Sequence, residues 1–186
     1  MLKIDPIWQA DIQQKNFRLV LDAMSRPGRC FTLHTLPDDG PVVLSILATL
    51  LDAEVSLSDP HSLLRSDDWL MLQAKSALAD DADYILCDAM QLPNILPKLG
   101  TLPNPDQSAT LILKVDNLGT GNHKLRLSGP GIKEIESLSI NGLNLDWLSK
   151  REDWNGAFPL GVDIILIDDK SVAALPRTTN VKVEVA

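Results

Sequence analysis

The chain has 186 residues, of which 45% are hydrophobic and 23% are charged, which is the composition of an ordinary soluble globular domain. That length is sufficient to bury one hydrophobic core. The formal net charge of −8 argues against non-specific binding to nucleic acid or to an anionic membrane.

The two cysteines, Cys30 and Cys87, lie far apart in the sequence and form no C-x-x-C motif. The three histidines are equally scattered, so no metal-ligand spacing is present. Both cysteines are therefore expected to be buried thiols in a reducing compartment. The N-terminus has no signal-peptide pattern, and the longest apolar run, residues 42–51, is too short to span a bilayer. We expect a single cytoplasmic domain over residues 1–186.

An amphipathic helix is predicted near the N-terminus, because apolar residues recur there at three- and four-residue spacing: Trp8, Ile12, Phe17, Val20, Leu21 and Met24. Pro27 ends this helix, since proline biases the preceding residue away from helical backbone. Arg18 and Asp22 lie off the apolar stripe, one turn apart, where they can pair on a solvated face.

Helical and alternating periodicities then follow one another, which indicates a mixed α/β domain. The predicted elements are a strand from residue 31, a loop at 37–41, a buried helix at 42–51, a strand at 55–58, a helix around 69–72, a strand at 84–87 and a short helix at 93–99. His34 is expected to face away from the core as a surface residue. Asp80, Asp81 and Asp83 favour a solvated acidic turn, since the spacing of a calcium loop is absent.

Two strands at residues 110–115 and 124–128 are predicted to pair as a β-hairpin through the glycine-containing segment 116–122. Apolar and charged residues alternate in the second strand, so one of its faces is wet or meets a partner. The turn at 129–132 contains two glycines but lacks the spacing of a phosphate loop or of a dinucleotide site. Asn144 is expected to cap the next helix.

The C-terminal region contains a β-branched apolar run at residues 162–167, which is typical of a strand buried on both faces. A second apolar run, 172–175, follows the turn-forming residues 168–170, so a β-hairpin is predicted. Asp163 interrupts the first run, and a buried carboxylate needs a partner. The turn lacks an Asn-Gly or Asp-Gly signal, so the sequence leaves the register open. If Asp169 and Lys170 form the tip, Asp163 lies opposite Pro176 and Arg177 lies one step away diagonally. We therefore expect an Asp163–Arg177 ion pair.

Arg177, Thr178 and Thr179 offer a guanidinium fork and two hydroxyl groups, which suit a carboxylate or a phosphate. The alternative is a structural ion pair that closes the strand end. Residues in and after the N-terminal helix add anion-binding chemistry, namely Arg18, Ser25, Arg26 and Gly28. The sequence shows no catalytic or metal-ligand constellation, since it has neither a G-x-S-x-G elbow nor a paired histidine motif.

Five strings extend in order over most of the chain: FRLVLDAMSRPG, TLILKV, LRLSGPGI, FPLGVDIIL and LPRTT. They resemble the PhnH family, the H subunit of the bacterial carbon–phosphorus lyase core complex. The resemblance implies a three-layer αβα sandwich with a mixed β-sheet. That fold is similar to the large domain of pyridoxal-phosphate-dependent transferases, but the family lacks the residues that bind the cofactor. No cofactor is therefore expected.

The resemblance also implies a place in organic phosphonate catabolism. There the subunit would support formation of ribose 1-phosphonate 5-triphosphate from ATP and a phosphonate, with catalysis attributed to other subunits. It implies the other core subunits as partners and a homodimer in isolation. Two alternatives remain open: an independent phosphate- or nucleotide-binding module, and an enzyme that resembles the pyridoxal-phosphate transferases in chemistry as well as in fold.

Overall fold

A computed structural model of the protein describes residues 8–34 and 42–184. The helices are α1 Ala10–Ser25, α2 Val42–Leu50, α3 Ser66–Met71 and α4 Asp146–Trp154. The strands are β1 Phe31–Thr32, β2 Ser56–Ser58, β3 Lys75–Ser76, β4 Tyr84–Asp88, β5 Thr110–Lys114, β6 Asn117–Ser128, β7 Glu136–Asn141, β8 Asp163–Ile167, β9 Ser171–Leu175 and β10 Asn180–Val183. The loop predicted at 37–41 lies outside the described residues.

Within that part of the chain, seven strands form a mixed sheet in the order β1-β9-β8-β5-β4-β2-β3. The five strands from β8 to β3 run parallel, whereas β9 and β1 are antiparallel to their neighbours. The central strands are continuous apolar runs because both of their faces are covered. In β5, for example, Leu111 and Leu113 join one core cluster and Ile112 joins the other.

The two faces of this sheet are covered differently. Helices α1 and α2 pack on one face, in a cluster that includes Val20, Ile46 and Leu47. The other face carries α4 together with a second, three-stranded sheet in the order β10-β6-β7. The α/β class and the mixed sheet agree with the prediction, but the third layer is part sheet and part helix.

The predicted hairpin between residues 110–115 and 124–128 is wrong. Strand β5 pairs in parallel with β4 and β8, whereas β6 pairs with β7 and β10 in the other sheet. The physical reason is that β5 is apolar on both faces and is most stable at the centre of the main sheet. Strand β6 is wet on one face and suits an outer layer. Strands β3, β7 and β10 had no counterpart among the predicted elements.

The helix predicted at 93–99 is also wrong, because this segment is extended. Pro93, Ile95 and Pro97 are buried, and the residues between them are exposed, which is the period of two that an extended chain gives. A helix here would place Pro97 in its interior, where proline removes a hydrogen bond and clashes with the preceding turn. The segment instead ends in an isolated bridge between Leu99 and Ser108.

Several smaller expectations also change. In α1 the residues Phe17 and Leu21 are exposed, and Asn16 is buried because its side chain hydrogen-bonds both backbone groups of His34. Asp22 lies 3.4 Å from Arg26 rather than pairing with Arg18. Cys87 is buried as predicted.

The prediction that both cysteines are buried is wrong for Cys30, which is exposed. It follows the turn at the end of α1 and precedes the short edge strand β1, where few elements can cover it. Among the described residues, no helix is both long and apolar enough to cross a membrane.

Candidate functional site

The C-terminal hairpin places Asp163 and Arg177 in contact. Ile164 lies opposite Leu175, so Asp163 stands at the strand end beside the residues that leave β9. Arg177 Nη2 is 2.6 Å from Asp163 Oδ2, and the Arg177 backbone N–H donates to Asp163 Oδ1 at 2.7 Å. Both side chains are mostly buried, which makes this a shielded ion pair.

Every N–H group of the Arg177 guanidinium has a partner. Nε and Nη2 donate to Asp163, Nη2 also donates to Ser108 Oγ, and Nη1 donates to the carbonyl oxygens of Pro105 and Pro159. A guanidinium has five N–H donors, and these contacts engage all of them. Binding of an anion by Arg177 would therefore require one of these contacts to break.

The turn at residues 129–131 lies between the two predicted groups of anion-binding residues. A Cβ on Gly131 would stand 2.2 Å from Ser25 O, and one on Gly129 would stand 2.9 Å from Thr178 O. Ser25 Oγ donates to Asp22 O at 3.1 Å, at the end of α1. The turn thus contacts the backbone of Ser25 and of Thr178, which is one residue from each group.

The remaining members of the predicted set do not all lie at this turn. Gly28 is buried and packs against Leu127 and Glu136. Arg18 lies on the exposed side of α1, about two helical turns before the end of that helix. Anion binding by these residues remains a prediction.

Arg151 is a functional candidate that the sequence reasoning missed. It lies in α4 between Trp147 and Trp154, and all three side chains are buried. Their spacing of four and then three residues is the apolar period of a helix, so this arginine could have been recognised on the buried face. Its Nη2 donates to Pro176 O at 2.6 Å and to Thr179 O at 2.8 Å, which ties α4 to the chain after β9.

Two adjoining crevices of about 750 and 680 Å³ open at the carboxyl ends of β2 and β4. Strand β2 lies between β3 and β4 in the sheet. After β2 the chain passes to β3 on one side, and after β3 it passes back beyond β2 to β4 on the other side. The direction in which the chain crosses the sheet therefore reverses here, which makes this the topological switch point of the sheet. Open α/β sheets commonly present their binding surfaces at such a point. His61 follows β2 here, and its Nδ1 accepts a hydrogen bond from the backbone N–H of Asp88 at 3.1 Å.

Exposed leucines surround these crevices. Leu78 and Leu96 line the larger crevice and Leu92 lines the smaller one, and their exposed fractions are 78%, 78% and 62%. We call these three residues the apolar rim. Large apolar side chains grouped in this way mark interaction surfaces. The apolar rim was not predicted, because a helix was expected for the segment that carries Leu92 and Leu96.

The family model described as "Bacterial phosphonate metabolism protein (PhnH)" matches residues 7–182. The chain belongs to the PhnH family. It is 42% identical over 178 residues to a putative C-P lyase subunit protein, HtxG, of Stutzerimonas stutzeri, with 96% of this chain and 90% of that protein covered. It is 29% identical over 191 residues to the PhnH subunit of alpha-D-ribose 1-methylphosphonate 5-triphosphate synthase of Rhizobium meliloti (strain 1021), with 97% of this chain and 94% of that protein covered.

Proposed function

We propose that this PhnH-family chain is a subunit of a carbon–phosphorus lyase assembly that degrades organic phosphonates. Its task there is to support formation of a ribose 1-phosphonate 5-triphosphate from ATP and a phosphonate. The observation that carries the proposal is the family match over residues 7–182, together with relatives that are themselves named as subunits of such an assembly. Those relatives align with this chain over 90% and 94% of their own length, so the proposal rests on nearly all of each relative.

The part that we propose for this subunit is docking rather than bond-making. The extended segment is anchored by the buried residues Pro93, Ile95 and Pro97, and it therefore holds Leu92 and Leu96 outward on a fixed backbone. Two prolines already restrict this segment in the free chain, so the segment loses less conformational entropy when a partner binds it.

The charges beside the apolar rim indicate which residues a partner surface should carry. Asp80, Asp146 and Asp153 line the crevices beside the apolar rim, where Lys150 provides a positive charge. The whole chain is also acidic, with a net charge of −8. We therefore propose that the rim receives another subunit of the assembly, through apolar side chains flanked by lysines or arginines.

Co-expression of the tagged chain with the other core subunits tests this function. Stoichiometric recovery of those subunits, with a native mass that includes this chain, is the expected result. Assembly of the others in its absence, with this chain recovered alone, would contradict the subunit proposal. The same native mass measurement on the isolated chain tests the homodimer that we propose for the free subunit.

The docking surface has a separate test. Leu92→Ser combined with Leu96→Ser is expected to abolish recovery of the partners while leaving the melting temperature near that of wild type, because both side chains are exposed. Leu102→Ser is the matched control, since Leu102 is also 73% exposed but lines neither crevice. Full recovery with the double variant would remove the rim as the docking surface without affecting the subunit proposal.

A further inference from the structure

A cavity of about 1000 Å³ lies between helix α4 and the chain that enters β10. Three side chains in its wall each carry a buried polar atom that has no hydrogen-bond partner among residues 8–34 and 42–184: Arg151 Nε, Asn155 Nδ2 and Thr179 Oγ1. Arg151 is only 5% exposed and Thr179 only 2%. Each of these three atoms is itself almost inaccessible to solvent, so they lie just beneath the cavity wall, and a group in the cavity reaches them only when wall side chains move aside. Buried polar atoms are normally paired, so three beside one cavity require an explanation.

All three atoms can donate a hydrogen bond. The Nε of an arginine and the Nδ2 of an asparagine can only donate, and a threonine hydroxyl can also do so. Asn155 Oδ1 already accepts the backbone N–H of Val162 at 2.8 Å, which leaves the amino end of that amide free. The group that completes this site must therefore supply acceptors.

The positive charge of Arg151 also favours a group that supplies acceptors, and in particular an anion. Its Nη2 contacts are the neutral carbonyl groups of Pro176 and Thr179, and no described carboxylate lies within 4.0 Å of its guanidinium. Burial lowers the pKa of Arg151 to about 10, although the negative charge of Asp163 acts to raise it. The side chain is therefore still a cation at neutral pH. Asp163 is itself paired with Arg177. A buried cation without a counter-ion is costly, and an anion would relieve that cost.

We propose that Arg151, Asn155 and Thr179 form a binding site for a tetrahedral oxyanion, such as phosphate or the phosphonate group of a small molecule. The oxyanion supplies several acceptors together with a negative charge, which is what the three donors and the guanidinium lack. Lys182 and Glu152 also line the cavity and are both exposed, so the opening carries one charge of each sign and Arg151 supplies the buried positive charge. The cavity is far larger than one phosphate, so the bound group can carry an organic substituent. This site does not depend on the docking surface described above.

Phosphate titration of the intact chain, followed by calorimetry and thermal unfolding, tests the proposal. Chloride at equal ionic strength is the control for general screening. We expect phosphate to raise the melting temperature of wild type and Thr179→Val to weaken phosphate binding about tenfold, the loss of one hydrogen bond to a charged group. Thr32→Val is the matched control, because Thr32 is exposed in β1 and does not line this cavity, so its removal should leave the affinity unchanged.

Thr179→Val also separates binding from folding. Without phosphate this variant should melt at or above the temperature of wild type, because it removes a buried hydroxyl that has no partner. Arg151→Lys, which deletes the guanidinium fork, should abolish phosphate binding if the variant folds. The proposal is overturned if phosphate stabilises wild type no more than chloride does. It is equally overturned if Thr179→Val binds phosphate as tightly as wild type.

Discussion

Arg177 reaches diagonally across the β8–β9 hairpin to Asp163, and its Nη2 lies 2.6 Å from Asp163 Oδ2. The same guanidinium bonds the carbonyl groups of Pro105 and Pro159, so it joins three separate segments of chain at the end of the main sheet. This residue therefore has a structural task whether or not it also meets a ligand.

Breaking this pair should be costly. Arg177→Gln or Asp163→Asn is expected to lower the free energy of unfolding by about 3 kcal/mol, because each leaves its former partner mostly buried and unpaired. Urea unfolding monitored by circular dichroism measures the change. The double variant should lose less than the sum of the two single changes, since the two residues interact directly.

A control for this prediction lies on the surface. Lys15 and Asp11 pair at 3.4 Å with both side chains largely exposed, so Lys15→Gln should leave the unfolding curve unchanged. If Arg177→Gln unfolds at the wild-type urea concentration, the Asp163–Arg177 pair contributes nothing to stability.

Gly131 should not tolerate a side chain. Its φ is +81°, and an added Cβ would stand 2.2 Å from Ser25 O, where the turn after β6 meets the end of α1. We expect Gly131→Ala to destabilise the fold by more than about 1 kcal/mol, since both the backbone conformation and the contact oppose it. Gly156→Ala is the control, because its nearest neighbour would be at 3.4 Å. Equal melting temperatures of these two variants would contradict the close approach at Gly131.

The two thiols should react differently. Burial raises the pKa of Cys87 to about 12, and the nearby charges of Asp59 and Asp88 add to the shift, so this thiol is protonated and inaccessible. Cys30 is exposed, although partial burial and then Asp168 raise its pKa as well. Iodoacetamide at pH 8 should therefore label Cys30 alone, more slowly than it labels a free cysteine. Mass spectrometry of Cys30→Ser should show no native labelling, and a labelled Cys87 in folded protein would contradict its burial.

Asp83 should make stability depend on pH in the acid range. Burial alone would raise the pKa of Asp83, but hydrogen bonds from Lys98 and from the Ser56 side chain and backbone outweigh it, so the pKa lies below its usual value. A carboxyl group whose pKa is lower in the folded state stabilises the fold above its unfolded pKa, and this contribution is lost as the pH falls through the folded pKa.

Urea unfolding between pH 7 and pH 3 tests this coupling. Asp83→Asn should be less stable than wild type at pH 7, and the two curves should begin to converge below about pH 4, the unfolded pKa of an aspartate, and approach each other further as the pH falls through the lower folded pKa. Asp81→Asn, at an exposed neighbouring position, should follow wild type throughout. A constant difference between wild type and Asp83→Asn across this range would show that the carboxylate charge is not responsible.

Some of the structure was predictable because the information is local. The apolar runs at 110–115 and 162–167 specify strands with two covered faces, and the turn residues 168–170 fix the hairpin register that brings Asp163 and Arg177 together. The helices at the N-terminus and at 42–51 also follow from short-range periodicity. The exposure of Cys30 could not be predicted in this way, because it depends on how other elements cover an edge strand.

The class of the fold, most of its elements and its family could be predicted from the amino-acid sequence, since these follow from patterns within a few residues and from ordered strings. The packing of the folded chain was needed to show that β6 joins a second sheet, that residues 93–97 are extended, and that Arg151 is buried close to Asn155 and Thr179. Those features depend on which distant segments meet, and an isolated segment cannot specify a partner that lies far along the chain. The apolar rim and the proposed oxyanion site both belong to this second group.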